Sequence, residues 1–240
     1  MIKLSILIPA FNEEKTIVAL ISKVKAVPFQ DFGLFSEIIV INDGSSDRTL
    51  DVLRSLSDIT ILNHSKNKGK GAAIKTGIYH CTGEIVIVQD ADMEYDPQEI
   101  PFVVKPIVEG RADVVYGSRF LSSLQNKSNK VFVKHHKSYW MAYLGGRIVT
   151  KVTNLLFGSH LTDEPTCYKS FRSAIVKTID ITNNGFEWEP EITAKILKRG
   201  IKIKEVPISY YPRTVEEGKK INWRDGIRAI WTLLKYRLTN

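Results

Sequence analysis

Five short runs dense in Ile and Val, separated by amphipathic stretches, constrain this chain more than any other feature. Leu4–Pro9, Glu37–Asn42, Ile59–Asn63, Glu84–Gln89 and Asp113–Gly117 read as strands bounded by turn residues. Glu13–Val27, Ser46–Leu56, Gly71–Cys81 and Pro97–Glu109 between them read as helices, with Ser46 and Asp96 as N-caps and Pro97 in a first turn. Strands that are apolar throughout and alternate with helices imply an α/β domain whose mostly parallel central sheet is covered on both faces. In such sheets ligands gather beyond the carboxyl ends of the strands. That rule singles out Pro9–Glu14, Asn42–Asp47, Asp90–Asp96 and Gly117–Phe120.

The second half is less regular. Leu121–Lys137 is polar and basic and reads as a loop. Ser138–Phe157, Glu187–Arg199 and Trp223–Arg237 read as helices, and Lys202–Tyr211 as a strand interrupted by Pro207. With 240 residues, 43% hydrophobic and 25% charged, the chain suits one domain, 1–240, and excludes disordered, collagen-like and disulfide-scaffold classes. No apolar run approaches the ~20 residues of a membrane-spanning helix. The N-terminus runs directly into a strand, without a signal-peptide cleavage site, which points to a cytoplasmic protein. Cys81 and Cys167 form no metal-spaced cluster and read as buried thiols of a reducing compartment.

Charge divides unevenly. Residues 1–120 carry 13 Lys/Arg against 16 Asp/Glu, whereas 121–240 carry 21 against 10. A basic half suits nucleic acid, an anionic membrane face or a phosphorylated substrate. Nucleic acid is disfavoured by the lack of helix-turn-helix, RNA-recognition or zinc-finger signatures. It also leaves Asp90, Asp92 and Glu94, which would repel phosphate without a metal, with no role.

Four strand-end motifs can carry chemistry. In Gln89-Asp90-Ala91-Asp92-Met93-Glu94, three carboxylates at alternate positions can converge on a hard cation such as Mg²⁺, often bound jointly with substrate phosphates. The plainer alternative is a solvated acidic turn before a helix. In Asn42-Asp43-Gly44-Ser45-Ser46-Asp47, Asp43 can accept from a base or ribose, or the run is a turn and cap. Pro9-Ala10-Phe11-Asn12-Glu13-Glu14 closes the first strand. Asn67-Lys68-Gly69-Lys70-Gly71 opens a helix whose N–H groups, with Lys70, can meet an anion. The dinucleotide fingerprint fails, because the glycine after Gly71 is Gly77, and there is no Walker A sequence.

In order and spacing, these motifs resemble the family 2 glycosyltransferases of the GT-A (Rossmann-like) fold, over essentially the whole chain. Pro9-Ala10-Phe11-Asn12-Glu13 is similar to the family's opening nucleotide motif, Asn42–Asp47 to its second acidic motif, and Asp90-Ala91-Asp92 to its metal-binding D-x-D. Gly117-Ser118-Arg119-Phe120 resembles a motif of the dolichyl-phosphate mannose and glucose synthase subgroup. So do Thr162–Lys169 and Arg213-Thr214-x-x-x-Gly218-Lys219-Lys220. Glu94 stands where mannose-synthase-like members often have Gln, and Cys167 where Gly is common.

The resemblance implies inverting transfer of a hexose from UDP-glucose or GDP-mannose to a polyprenyl or dolichyl phosphate, with Glu94 tilting the donor toward UDP-glucose. Residues 1–120 would hold the nucleotide sugar and metal, and 121–240, with its C-terminal helices, the acceptor. Asp92, Glu94 and Asp90 would bind Mg²⁺ or Mn²⁺, Asp90 alternatively meeting the ribose or uracil. Pro9, Ala10, Asn12, Glu13, Asp43, Lys70, Asp90 and Ala91 would contact the nucleotide sugar. A phosphate monoester is mostly dianionic near neutrality and needs cations more than a base. Arg119, Arg213, Lys219, Lys220 and Arg224 are the candidates, with Lys134 and Arg147 behind them. Asp163 would orient the acceptor or act as a weak base. A saccharide or protein hydroxyl acceptor would instead make Asp163 or Glu191 an indispensable general base. The helices Ser138–Phe157 and Trp223–Arg237 would lie on a membrane surface, or pack on the sheet, on a second copy of the chain or on a membrane partner protein.

Overall fold

The computed structural model describes residues 1–121, 137–213 and 223–239, with side chains from Tyr143 and from Arg224 onward in the last two segments. The predicted loop 121–137 therefore lies, beyond its ends, outside the described residues. In chain order the elements are β1 (Ile2–Ala10), α1 (Ile17–Lys25), β2 (Leu34–Asn42), α2 (Thr49–Arg54), β3 (Thr60–Asn63), α3 (Lys70–His80), β4 (Ile85–Val88), α4 (Ile100–Val108) and β5 (Val114–Ser118). There follow α5 (Lys137–Phe157), β6 (Lys169–Arg172), α6 (Ser173–Val176), α7 (Trp188–Lys198), β7 (Ile203–Pro207) and α8 (Trp223–Leu238).

The seven strands among the described residues form one sheet in the order β3-β2-β1-β4-β6-β5-β7. β1 pairs in parallel with β2 and β4, β2 with β3, and β5 with β7. β6 runs antiparallel between β4 and β5. The central strands are apolar because helices cover both faces: Leu4, Ile6, Leu7, Ile8, Val40, Ile41, Val86, Ile87 and Val114 are all buried. A second, smaller cluster joins Val149 of α5, Ala194 of α7 and Leu233 and Tyr236 of α8. The C-terminal helices thus pack on one another beside the sheet.

Two boundaries differ from those expected, for one reason. α1 begins at Ile17 rather than Glu13, and α2 at Thr49 rather than Ser46. The intervening residues lash the end of β1 to the end of β2. Asn12, at φ +53°, accepts from the Ser46 amide at 2.8 Å, and the Glu13 and Glu14 amides donate to Thr49 and Asp47. Asp47, not Ser46, accepts from the first amide of α2. Asp96 does act as a cap, for the 3-10 turn Pro97–Glu99. β6 has four residues and no alternation long enough to announce it.

Candidate active site

A cavity of about 270 Å³ opens beyond the carboxyl ends of β1, β2 and β4. Pro9, Ala10, Glu13, Asp43, Lys70, Asp90, Ala91, Asp92 and Glu94 line it, joined by Arg119 from the end of β5 and by Arg213 from the second half of the chain. Asn12 is absent from this wall, its side chain being spent on Ser46. Asp163 lies behind Arg119, and Arg224 is exposed on α8. Arg147 also stands outside the lining, against the Phe120 ring. Lys134, Lys219 and Lys220 lie outside the described residues.

Asp43 holds the loop before α3 in place. Its carboxylate accepts from the amides of Lys68 and Gly69 at 2.9 and 2.7 Å and from His64 Nδ1 at 2.6 Å. The α3 terminus is not an open anion site as expected: the Gly71 and Ala72 amides donate to the carbonyls of Gly185 and Asn184. Close approach requires Gly71, where a Cβ would meet Asn183 O at 2.3 Å. Lys70 is instead clamped between Asp90 and Glu189, each at 2.9 Å. Burial alone would lower its pKa, but the two carboxylates raise it well above the ordinary lysine value. Lys70 remains a fixed cation on the floor of the cavity.

The three carboxylates of the 90–94 loop do not converge on one point as the sequence suggests. Asp90 faces Lys70, and Glu94 accepts from the Tyr210 hydroxyl at 2.7 Å and the Arg213 amide at 2.8 Å. No described cluster of three or more His, Cys, Asp or Glu has metal-holding geometry. Asp92 is the least satisfied of the three. Burial, then the charges of Asp90 and Glu94, push it up to about 7, against the pull of Arg213. The Arg213 guanidinium lies 3.2 Å from Asp92, 3.4 Å from Glu13 and 4.0 Å from Glu94, and its buried Nε has no acceptor. Carboxylates gathered around a poorly fitted cation suit a divalent ion, because Mg²⁺ needs only one or two of them when substrate phosphates complete its shell.

Arg119 is differently held. Asp163, fully buried, accepts from its Nε and Nη2 at 2.7 Å each and from its backbone amide at 2.9 Å. Glu205 on β7 in turn accepts from the amides of Thr162 and Asp163. A chain of bonds from β7 thus fixes Arg119 beside the Tyr210 ring, 5.0 Å from its centroid. Both Asp163 oxygens are engaged, and they hold the Arg119 side chain in place. Glu191 is likewise no cavity base: it accepts from Thr182, Asn183, Lys195 and Tyr236 and ties α7 to α8.

Sequence reasoning missed Phe186 and Glu189, which form the far wall with Gly185, and Tyr95 and Tyr210 beneath the arginines. It also missed His64. No local pattern marks them, since each reaches the cavity through tertiary contact.

Residues 5–180 match the glycosyl transferase family 2 domain. The chain belongs to that family. As a glycosyltransferase it is 28% identical over 237 residues to the low-salt glycan biosynthesis hexosyltransferase Agl6 of Haloferax volcanii, covering 99% of this chain and 53% of that protein. It is 28% identical over 243 residues to a dolichol-phosphate mannosyltransferase of Pyrococcus furiosus, covering 98% and 64%. The chain thus spans only about half to two thirds of these two relatives. Glucosyl-3-phosphoglycerate synthase of Mycobacterium tuberculosis, solved with Mn²⁺, UDP and phosphoglyceric acid, shares the GT-A fold at a TM-score of 0.73 and 20% identity, covering all of this chain and 80% of that one. Both cysteines are buried and free, and no described helix is long and apolar enough to cross a membrane.

Proposed function

We propose that this glycosyltransferase moves a hexosyl group from a nucleoside diphosphate sugar, UDP-glucose or GDP-mannose, to a polyprenyl or dolichyl phosphate with inversion at the anomeric carbon. One observation carries the reading: a single cavity is lined by three carboxylates, Glu13, Asp92 and Glu94, gathered around Arg213, and by a second arginine, Arg119. The relative named for dolichol-phosphate mannosyl transfer supports the acceptor class. Pro9, Ala10, Asp43 and Ala91 would border the nucleotide, and Lys70 would present a fixed positive charge. Asp92, with Glu94 or Glu13, would hold Mg²⁺ or Mn²⁺, which supplies charge neutralisation on the departing diphosphate. Arg119, oriented by Asp163, would align the acceptor phosphate, whose own charge makes it a sufficient nucleophile. A neutral hydroxyl would need a general base, and the engagement of Asp163 and Glu191 disfavours that alternative.

Peripheral contact with a membrane follows from the same acceptor. α8 exposes Ile227, Trp231 and Leu238 among Arg228, Lys235 and Arg237, a mixture suited to a lipid interface.

The test is transfer from UDP-glucose and GDP-mannose, with and without Mn²⁺, to a short polyprenyl phosphate, phosphoglycerate and free glucose. Metal-dependent transfer to the polyprenyl phosphate, abolished by Asp92→Asn, is expected. Preferred transfer to glucose would overturn the acceptor assignment, and full activity of Asp92→Asn the metal assignment.

A further inference from the structure

Two arginines reach the cavity, and they are seated very differently. Arg119 has bidentate bonds of 2.7 Å to one carboxylate, the length expected of a charge-assisted pair. Arg213 spreads over three carboxylates at 3.2, 3.4 and 4.0 Å, and its Nε is buried without an acceptor. A buried donor left unmade is costly, so this seat is not shaped for a guanidinium. The backbone of the same segment is well anchored: the amides of Tyr211 and Arg213 donate to Glu94 O and Oε1 at 2.9 and 2.8 Å. Only the long side chain is loosely held, and it can swing without releasing the backbone.

We infer that Arg213 is the resting counter-cation of the acid cluster, and that a divalent ion entering at Asp92 displaces its guanidinium into the cavity. The inference rests on the metal-dependent reading above. Without a cation, Glu13, Asp92 and Glu94 would repel one another in a half-buried pocket. Arg213 relieves that repulsion, but a divalent ion bound to Asp92 would share an oxygen with it, and two positive charges so close repel strongly. The expelled guanidinium remains tethered beside the cavity, free for phosphate oxygens. Arg213 thereby makes cation entry and phosphate binding cooperative: the ion binds weakly alone and more tightly once an anion is present to receive the arginine.

The test is Mn²⁺ binding by the full chain in the absence of nucleotide, followed by the electron paramagnetic resonance of free Mn²⁺. Arg213→Gln should tighten Mn²⁺ binding by roughly tenfold or more, because a competing charge is removed. Arg213→Lys should stay near wild type, and adding Asp92→Asn should erase the gain. Unchanged or weaker binding by Arg213→Gln overturns the inference. If wild type then still binds Mn²⁺ with UDP present, the metal-dependent reading survives; if neither protein binds Mn²⁺ with or without UDP, both fall. Wild type offers a second measurement that needs no variant. The rate of Arg213 modification by phenylglyoxal, read by peptide mass spectrometry, should rise when Mn²⁺ is added, and an unchanged or slower rate overturns the inference.

Discussion

Asp163→Asn separates a base from a positioning residue. The substitution is isosteric and would leave a true base site folded but inactive. Here it removes the charge from a carboxylate that is 0% exposed and leaves Arg119, 18% exposed, with no counter-ion in its seat. Two bonds of 2.7 Å and one of 2.9 Å are involved. An amide NH₂ replacing one oxygen would face a guanidinium NH₂, donor against donor. Breaking a buried pair by removing one partner costs about 3–5 kcal/mol. For a chain of this size that lowers the melting temperature by roughly 10 °C.

The assay combines thermal melting with a pH–rate profile. The positioning role requires lower stability, reduced turnover and an unaltered profile shape, because no proton passes through Asp163. Adding Arg119→Met to Asp163→Asn should restore part of the lost stability, since it removes the stranded charge. An unchanged melting temperature, with turnover abolished and the acidic limb of the profile lost, would refute the reasoning and make Asp163 the base.

Acid stability should depend on two carboxylates outside the cavity. Burial alone would raise Glu191, but Lys195 and the Thr182 and Asn183 amides outweigh it and hold it at about 2. Lys3, Ser5 and Thr82 do the same for Glu37, also at about 2. Each folded-state pKa is depressed, so each contribution, about 3 kcal/mol, is complete above the ordinary glutamate range and fades as pH falls toward 2. Urea midpoints between pH 7 and 3 should therefore fall less steeply for Glu191→Gln than for wild type, and parallel slopes would contradict the assignment. Gly71→Ala should destabilise by about 1–3 kcal/mol although alanine is the better helix former, because its Cβ would meet the Asn183 carbonyl at 2.3 Å. A raised melting temperature would mean that helix propensity outweighs the clash.

Much of this molecule was legible because local pattern decided it. Ile6, Val40 and Ile87 lie in unbroken buried stretches, Leu4–Ile8, Ile38–Asn42 and Ile85–Gln89, so apolar density alone locates the strands, and the carboxyl-end rule then locates Asp43, Asp90 and Asp92. What escaped depends on distant partners. Lys70 looked like an unpaired cation because Glu189, 119 residues away, could not be seen to pair with it. Glu94 looked like an unpartnered carboxylate because the bond from Tyr210, 116 residues on, leaves no trace in the local sequence. Helix starts at Glu13 and Ser46 fit the local code, but tying β1 to β2 through Asn12 and Thr49 took precedence over two early helical turns.

The same accounting separates the working carboxylate from the structural ones. Acidity itself is no guide here, since Asp43, Asp90, Asp92, Glu94 and Glu189 all border the cavity. Asp43 has two backbone amides and an imidazole, Asp90 and Glu189 share a lysine, and Glu94 has a tyrosine hydroxyl and an amide. Asp92 has one amide, from Glu94 at 3.1 Å, and one long contact to a guanidinium that does not fit. The short, well-aligned bonds of the other acids hold them in place, whereas Asp92, with only long contacts, will gain most from a cation that arrives with its own phosphates. Asp92 is therefore the position at which charge removal should cost the least stability and the most activity, the reverse of the balance expected at Asp163.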